Sequence, residues 1–299
     1  MKPVLLITGA SGFLGRAILQ RARTRWNPVA VHCASEPAEY RLFWVKIDLT
    51  RRARIRELVR RCRPRVIIHA AALSDLDRCE HEPGLAHKIN VEATRHLAEC
   101  AAENGSRLLF ISSDMVFNGR RGLYREEDDV SPLSVYGRTK VQAEKTVSRT
   151  LDDHLIVRAA LIYGRSASAR LSFSDWIEQR LINGKRVPLY TDQFRSPIYV
   201  GNLADLLLQL AQDNIRGLLH LGGAERINRL DFGLKMCEHG NYDPSLLQPT
   251  VMPDNGPGAA RPRDVSLCVA KARRFTDRLL TVDQGLKRLF TDEMRGENE

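Results

Sequence analysis

From Val4 to Arg158, short apolar, β-branched runs alternate with stretches of helical periodicity. Val4–Thr8 precedes a helical pattern over 13–25; Val29–Cys33 and Phe43–Ile47 precede one over 51–62. Val66–Ala70 precedes one over 85–104, Leu108–Ser112 one over 134–149, and Leu155–Arg158 closes the series. Continuous apolar strands separated by helices must lie parallel, because each return to the same sheet edge needs a crossover, and the crossovers cover both faces. The expected fold is α/β, a doubly wound parallel sheet of Rossmann-like type, which binds ligands outside the carboxyl ends of its strands. Beyond residue 165 the rhythm loosens into helices expected near 170–182, 202–212, 229–239 and 282–290, interrupted by Gly/Pro-rich segments such as Pro253–Gly258. The division implied is a first domain over 1–165 and a smaller C-terminal lobe over 166–299, the chain returning to the first domain around 196–222.

A chain of 299 residues, 43% of them hydrophobic, can bury an ordinary core. No run approaches the roughly 18 apolar residues of a membrane span. The apolar opening Val4-Leu5-Leu6-Ile7 runs at once into a glycine motif, unlike a signal peptide, so a cytoplasmic location is expected. The six cysteines are scattered, with no C-x-x-C pair, and read as reduced structural thiols. The net charge of +10 raises the question of nucleic acid. Its densest source, Arg51–Arg63, sets Ile55, Leu58, Val59 and Cys62 at helical spacing among arginines, which describes a solvated helix face. No nucleic-acid or membrane partner is expected; the charge would steer an anionic ligand.

Thr8-Gly9-Ala10-Ser11-Gly12-Phe13-Leu14-Gly15 follows the first strand and opens an amphipathic helix. Glycines there let the backbone turn sharply and approach a pyrophosphate, whose charge the free N–H groups of the helix start would stabilise. Gly9, Ser11, Gly12, Phe13, Leu14 and Gly15 are the expected dinucleotide contacts. An acid ending the second strand would favour NAD, a base NADP. That strand ends His32-Cys33-Ala34-Ser35, Glu36 lies late, and Arg16 follows the third glycine, so NADP(H) is favoured over NAD(H); Arg16 reads otherwise as an exposed helix residue. Asp48 and Leu49, after the third strand, suit the adenine ring, although Asp48 could also cap the next helix. Ala70, Ala71 and Ala72 are small enough for a cofactor to lie across the backbone, a size that helix packing would also select.

Tyr136-Gly137-Arg138-Thr139-Lys140 places a phenol and an ammonium one helical turn apart on one face. A tyrosine with a reference pKa near 10 transfers protons poorly at neutral pH, and a neighbouring cation stabilises its phenolate. An exposed helix pair is the bland alternative. Upstream, Ile111-Ser112-Ser113-Asp114 ends the fifth strand at the carboxyl edge, where Ser113 could hydrogen-bond a substrate carbonyl or serve as a turn hydroxyl. Arg261-Pro262-Arg263 offers guanidinium groups suited to a diphosphate, or simply surface charge.

These segments, with His69–Ala72, Ile111–Gly119, Tyr124–Glu127, Pro132–Lys140 and Asp192–Pro197, closely resemble the extended short-chain dehydrogenase/reductase superfamily over almost the whole chain. Within it the resemblance is to the dTDP-4-dehydrorhamnose reductases and the related regulatory β subunit of methionine adenosyltransferase. It implies NAD(P)(H) and a nucleotide-linked sugar, with hydride passing to the sugar C4. By position it implies that Ser113 polarises the carbonyl, Tyr136 gives the proton and Lys140 holds the nicotinamide ribose. It further implies substrate contacts from Ser113, Asp114, Tyr136 and Arg261 in the lobe, and leaves a homodimer open. Met115 and Leu161 stand where the reductases carry an aromatic residue and a tryptophan beside the sugar pocket. Ala17 replaces an acid linked to a magnesium-bridged dimer, so no metal is expected. Epimerisation or dehydration on the same scaffold, and a non-catalytic NADP-binding regulatory subunit, remain alternative readings.

Overall fold

The computed structural model describes residues 1–33, 43–166, 171–254 and 258–296. The first half alternates β1 Val4–Thr8, α1 Phe13–Ala22, β2 Asn27–His32, β3 Phe43–Lys46, α2 Arg52–Cys62 and β4 Val66–His69. It continues with α3 Leu76–His81, α4 Pro83–His87, α5 Ala93–Asn104, β5 Arg107–Ser113, α6 Val135–Thr150 and β6 His154–Ala159. The second half contains β7 Ile162–Tyr163, α7 Phe173–Ile182, β8 Val187–Tyr190, β9 Phe194–Arg195, β10 Ile198–Tyr199, α8 Val200–Leu210 and β11 Gly217–Leu221. It closes with β12 Ile227–Asn228, α9 Arg229–Gly240, β13 Leu247–Thr250 and α10 Val282–Gly296.

Seven strands form one parallel sheet in the order β11-β6-β5-β4-β1-β2-β3. The chain steps outward from β1 to β3, then crosses back to β4 on the other side of β1, so the strand order reverses there and leaves a crevice at the carboxyl edge. Strand alternation serves two cores: Leu5 and Ile7 pack with α1 and α8 on one face, while Leu6 packs with Ile55, Leu97 and Ala143 on the other. α2 buries Ile55, Leu58 and Val59 and turns its arginines outward, where Arg52 and Arg56 meet Glu99 and Glu103 at 3.1 and 2.9 Å.

The single helix expected over 85–104 is corrected. α4 ends at His87, and Lys88–Glu92 forms a π turn before α5. The wider turn carries the buried Asn90, whose amide accepts from Leu73 N at 2.8 Å and donates to Leu73 O and Thr139 Oγ1 at 3.0 Å each. It ties the loop after β4 to α6.

After β10 the chain returns to the sheet: α8 packs on α1 with Arg21 and Asp205 paired at 3.2 Å, and β11 extends the sheet beside β6. The remaining short strands pair as β7 with β10, β9 with β12 and β8 with β13, in a lobe with α7, α9 and α10. Asp77 of α3 fastens the lobe by accepting from Ala259 N at 2.7 Å and pairing with Arg261 at 2.8 Å. Among the described residues, no helix is long and apolar enough to cross a membrane.

Candidate active site

A cleft of about 730 Å³ opens at the carboxyl edge of the sheet, floored by the turn after β1. Gly9 has φ +67°, and a side chain there would press on Ala71 N at 2.7 Å; one at Gly15 would collide with the Gly9 carbonyl. The turn and the Ala70–Ala72 segment can approach this closely only because both are nearly bare backbone. Gly12 caps α1 without a side-chain hydrogen bond, which leaves helix-start N–H groups for a ligand. This bare cradle fits a dinucleotide pyrophosphate.

Gly9, Ser11, Gly12, Phe13, Leu14, Gly15, Asp48, Leu49, Ala70, Ala71, Ala72, Ser113, Tyr136 and Lys140 all line this one cleft. Asp48 also orders its own turn, accepting from Thr50 N and Oγ1 at 2.9 and 2.8 Å; these bonds hold its carboxyl below the usual range. Arg16 does not line the cleft, since its Nε donates back to Ser11 O at 3.0 Å. Glu36 lies outside the described residues.

Tyr136 sits in the first turn of α6, which is fixed twice: Ser134 Oγ accepts from Gly137 N at 3.1 Å, and Glu80 accepts from Val135 N at 2.7 Å. A side chain at Gly137 would strike the Met115 carbonyl, so glycine lets α6 start against the end of β5. Lys140, 2% exposed, donates to Ile111 O at 2.6 Å and lies 4.1 Å from the centre of the Phe110 ring. Burial pushes it down to about 7, against the attraction of Glu144. Behind it His69 is held by Thr8 Oγ1 at 2.6 Å and Thr94 Oγ1 at 2.9 Å. Thr94 spends its own proton on Asn90 O, so His69 is neutral with the proton on Nε2; burial, then Lys140, pushes it down to about 3. Ser113 lines the cleft and takes the turn role, accepting from Met115 N at 3.2 Å and donating to Asp114 at 3.0 Å.

On the lobe side, Asp114 lies behind Ser113, buried with Arg195 and beside the partly exposed Arg229. Burial raises its carboxyl, with Arg195 the leading opposing influence. Arg195 donates to the carbonyls of Phe194, Pro262 and Arg263, and Arg229 Nε donates to Gln193 at 2.8 Å. Burial lowers Arg229 to about 9, with Arg195 adding to the effect. Asp114 Oδ2 and Arg229 Nη1 are covered yet have no hydrogen-bond partner among the described residues. Arg261 is exposed and ion-paired with Asp77, outside the cleft lining, and Arg263 is paired with Asp192 and Asp254.

The cleft is lined as well by His32 and Cys33 at the end of β2, and by residues that sequence reasoning passed over: Lys88 and Ile89 on the π turn, and Ala159 and Ala160 at the end of β6. Their shared signal was position, at strand carboxyl ends or on the helix following β4.

Fold and site together define a nicotinamide-dependent oxidoreductase of the extended short-chain dehydrogenase/reductase class. The family model described as the RmlD substrate binding domain matches residues 1–294, and the chain belongs to that family. It is 33% identical over 267 residues to the probable low-salt glycan biosynthesis reductase Agl14 of Haloferax volcanii, covering 88% of this chain and 89% of the relative. It is 32% identical over 273 residues to the methionine adenosyltransferase 2 subunit beta of Bos taurus, covering 88% and 79%. A dTDP-4-dehydrorhamnose reductase from Bacillus anthracis, solved in complex with NADP, superposes with TM-score 0.85 at 26% identity, covering 98% of this chain and 100% of that one.

Proposed function

We propose that the protein is an NADPH-dependent reductase of a nucleotide-linked 4-keto-6-deoxy sugar. The observation that carries this reading is the convergence of Ser113, Tyr136 and Lys140 on the cleft whose floor is the glycine turn. The bound nicotinamide would supply the hydride. Ser113, its hydroxyl proton swung from Asp114 to the substrate, donates a hydrogen bond to the carbonyl oxygen, and Tyr136 gives that oxygen its proton as the alkoxide develops. Lys140 holds the ribose hydroxyls and stabilises the phenolate left on Tyr136. The N–H groups starting α1 and the backbone of Gly9–Gly15 take the pyrophosphate, with Asp48 and Leu49 at the adenine. The sugar lies toward Asp114, and a nucleotide diphosphate draws Arg261 away from Asp77. Residues 1–165, with the returning stretch 196–222, hold the cofactor, and the rest of 166–299 mainly holds substrate.

NADP(H) is favoured over NAD(H) because β2 leads into His32 and Cys33 at the cleft without a carboxylate among the described residues, and Arg16 stands beside the glycine turn. The same reductant supply argues for the cytoplasm. The test is loss of nicotinamide absorbance when NADPH is mixed with a panel of nucleotide-linked 4-keto-6-deoxy sugars. Tyr136→Phe is expected to lower turnover about a thousandfold, the scale of a lost general acid. The likeness to a methionine adenosyltransferase subunit supports the second reading, a non-catalytic NADP-binding subunit; NADPH binding with no turnover on any sugar would favour it. Cofactor recycling without net oxidation would favour an epimerase or dehydratase.

A further inference from the structure

Glu144 stands one turn beyond Lys140 on α6, fully inside the protein and outside the set of cleft residues. Its carboxylate accepts from Ser112 Oγ on β5 and from both Nε and Nη2 of Arg158 on β6, at 3.0 and 2.8 Å. The parallel register sets Ser112 directly beside Arg158, so one carboxylate joins the helix to two neighbouring strands. Arg158 is backed in turn by His220 at 3.4 Å and the Phe117 ring at 5.1 Å. We propose that Glu144 is a positioning residue, supplying the negative charge that keeps the proton on Lys140 while anchoring Ser112 so that Ser113 faces the cleft. The inference rests on the catalytic reading of Lys140 given above.

The surroundings of Lys140 leave this task to Glu144. From β4, His69 is neutral; from β6, Arg158 is a cation already paired with Glu144. From the end of β5, Asp114 has a raised carboxyl and is turned toward Arg195 and Arg229. Glu80 of α3 and Arg138 of α6 pair with each other at 4.0 Å, while Lys88, Glu92, Arg95 and Glu99 of the π turn and α5 lie on the solvent side. Among these groups Glu144 is the anion whose field at Lys140 opposes desolvation. An opposite charge within about 4–6 Å shifts a titratable group by about one to three pH units.

The decisive readout is the titration of Lys140 itself, followed by NMR of protein with isotope-labelled lysine side chains and assigned through Lys140→Met. It requires neither cofactor nor turnover, so it stands whether or not the reductase reading does. Glu144→Gln keeps a hydrogen-bond acceptor and lowers the midpoint by about one pH unit or more. The paired variant Glu144→Gln/Arg158→Met removes the buried arginine together with its carboxylate partner and gives a folded protein if the single variant does not. In it the midpoint still lies below that of the wild type, because the attraction of Glu144 is gone. A parallel titration of NADPH affinity by fluorescence should lose its high-pH limb at correspondingly lower pH. A paired variant that titrates like the wild type would overturn the proposal and leave Glu144 a purely structural brace.

Discussion

Two largely buried charged clusters flank the cleft, and they differ in how fully their charges are answered. In the cluster of Glu144, Arg158 and Ser112, both carboxylate oxygens are bonded and the guanidinium is held along its fork. In the cluster of Asp114, Arg195 and Arg229, one carboxylate oxygen and one guanidinium nitrogen remain without a partner among the described residues. Burying an unpaired polar atom costs about 1–3 kcal/mol, so a fold keeps such atoms where something else repays them. The first cluster is finished structure; the second has hydrogen-bonding capacity left over on the side where the lobe meets the sheet.

The largest test of that contrast is truncation. Glu144→Leu strands a buried arginine and is expected to cost about 3–5 kcal/mol in urea unfolding. A loss under 1 kcal/mol would mean that the first cluster is not closed.

The next is acid sensitivity. His69 and His220, which border the first cluster and Lys140, are each pushed by burial to about 3. The unfolded chain takes up those protons first as pH falls from 6.5, so their stability is intact above 6.5 and is lost progressively toward pH 3. Each histidine contributes a slope of about 1.4 kcal/mol per pH unit in that window. His220→Gln should flatten the measured slope by one such increment, and an unchanged slope would show that His220 accepts a proton in the folded state.

The smallest effect belongs to the second cluster. Asp114 has its carboxyl raised, so the folded protein holds that proton longer than the unfolded chain, and the group's stability falls as pH rises above about 4. Asp114→Asn removes this dependence: relative to the wild type it gains with pH and lies within about 1 kcal/mol of it at neutral pH. Melting curves at pH 4 and pH 7.5 give the sign. A loss above 3 kcal/mol at pH 7.5 would make this cluster as closed as the other and erase the comparison.

Much of the sheet was legible because fully buried parallel strands leave continuous apolar runs, as in Val66–His69, and because the glycine turn is written in backbone requirements that few other residues meet. The π turn was hidden, since its side chains continue an ordinary helical pattern while only the hydrogen-bond register changes. Glu144 was in plain view four residues after Lys140, but its partners lie on two strands and meet it only through the register pairing Ser112 with Arg158. The two arginines, Arg16 and Arg261, show another limit. Position along the chain fixes where an arginine's Cα sits, whereas its long stem lets the head turn toward whichever acceptor is nearest, Ser11 O for one and Asp77 for the other.

Asp77 belongs to the short helix that follows β4, yet the bonds its carboxylate accepts from Ala259 N and Arg261 Nη2 reach into the lobe. Its ion pair with Arg261 is about half exposed, and such pairs hold by less than about 1 kcal/mol. At that rim the lobe is therefore held to α3 by a latch rather than a weld.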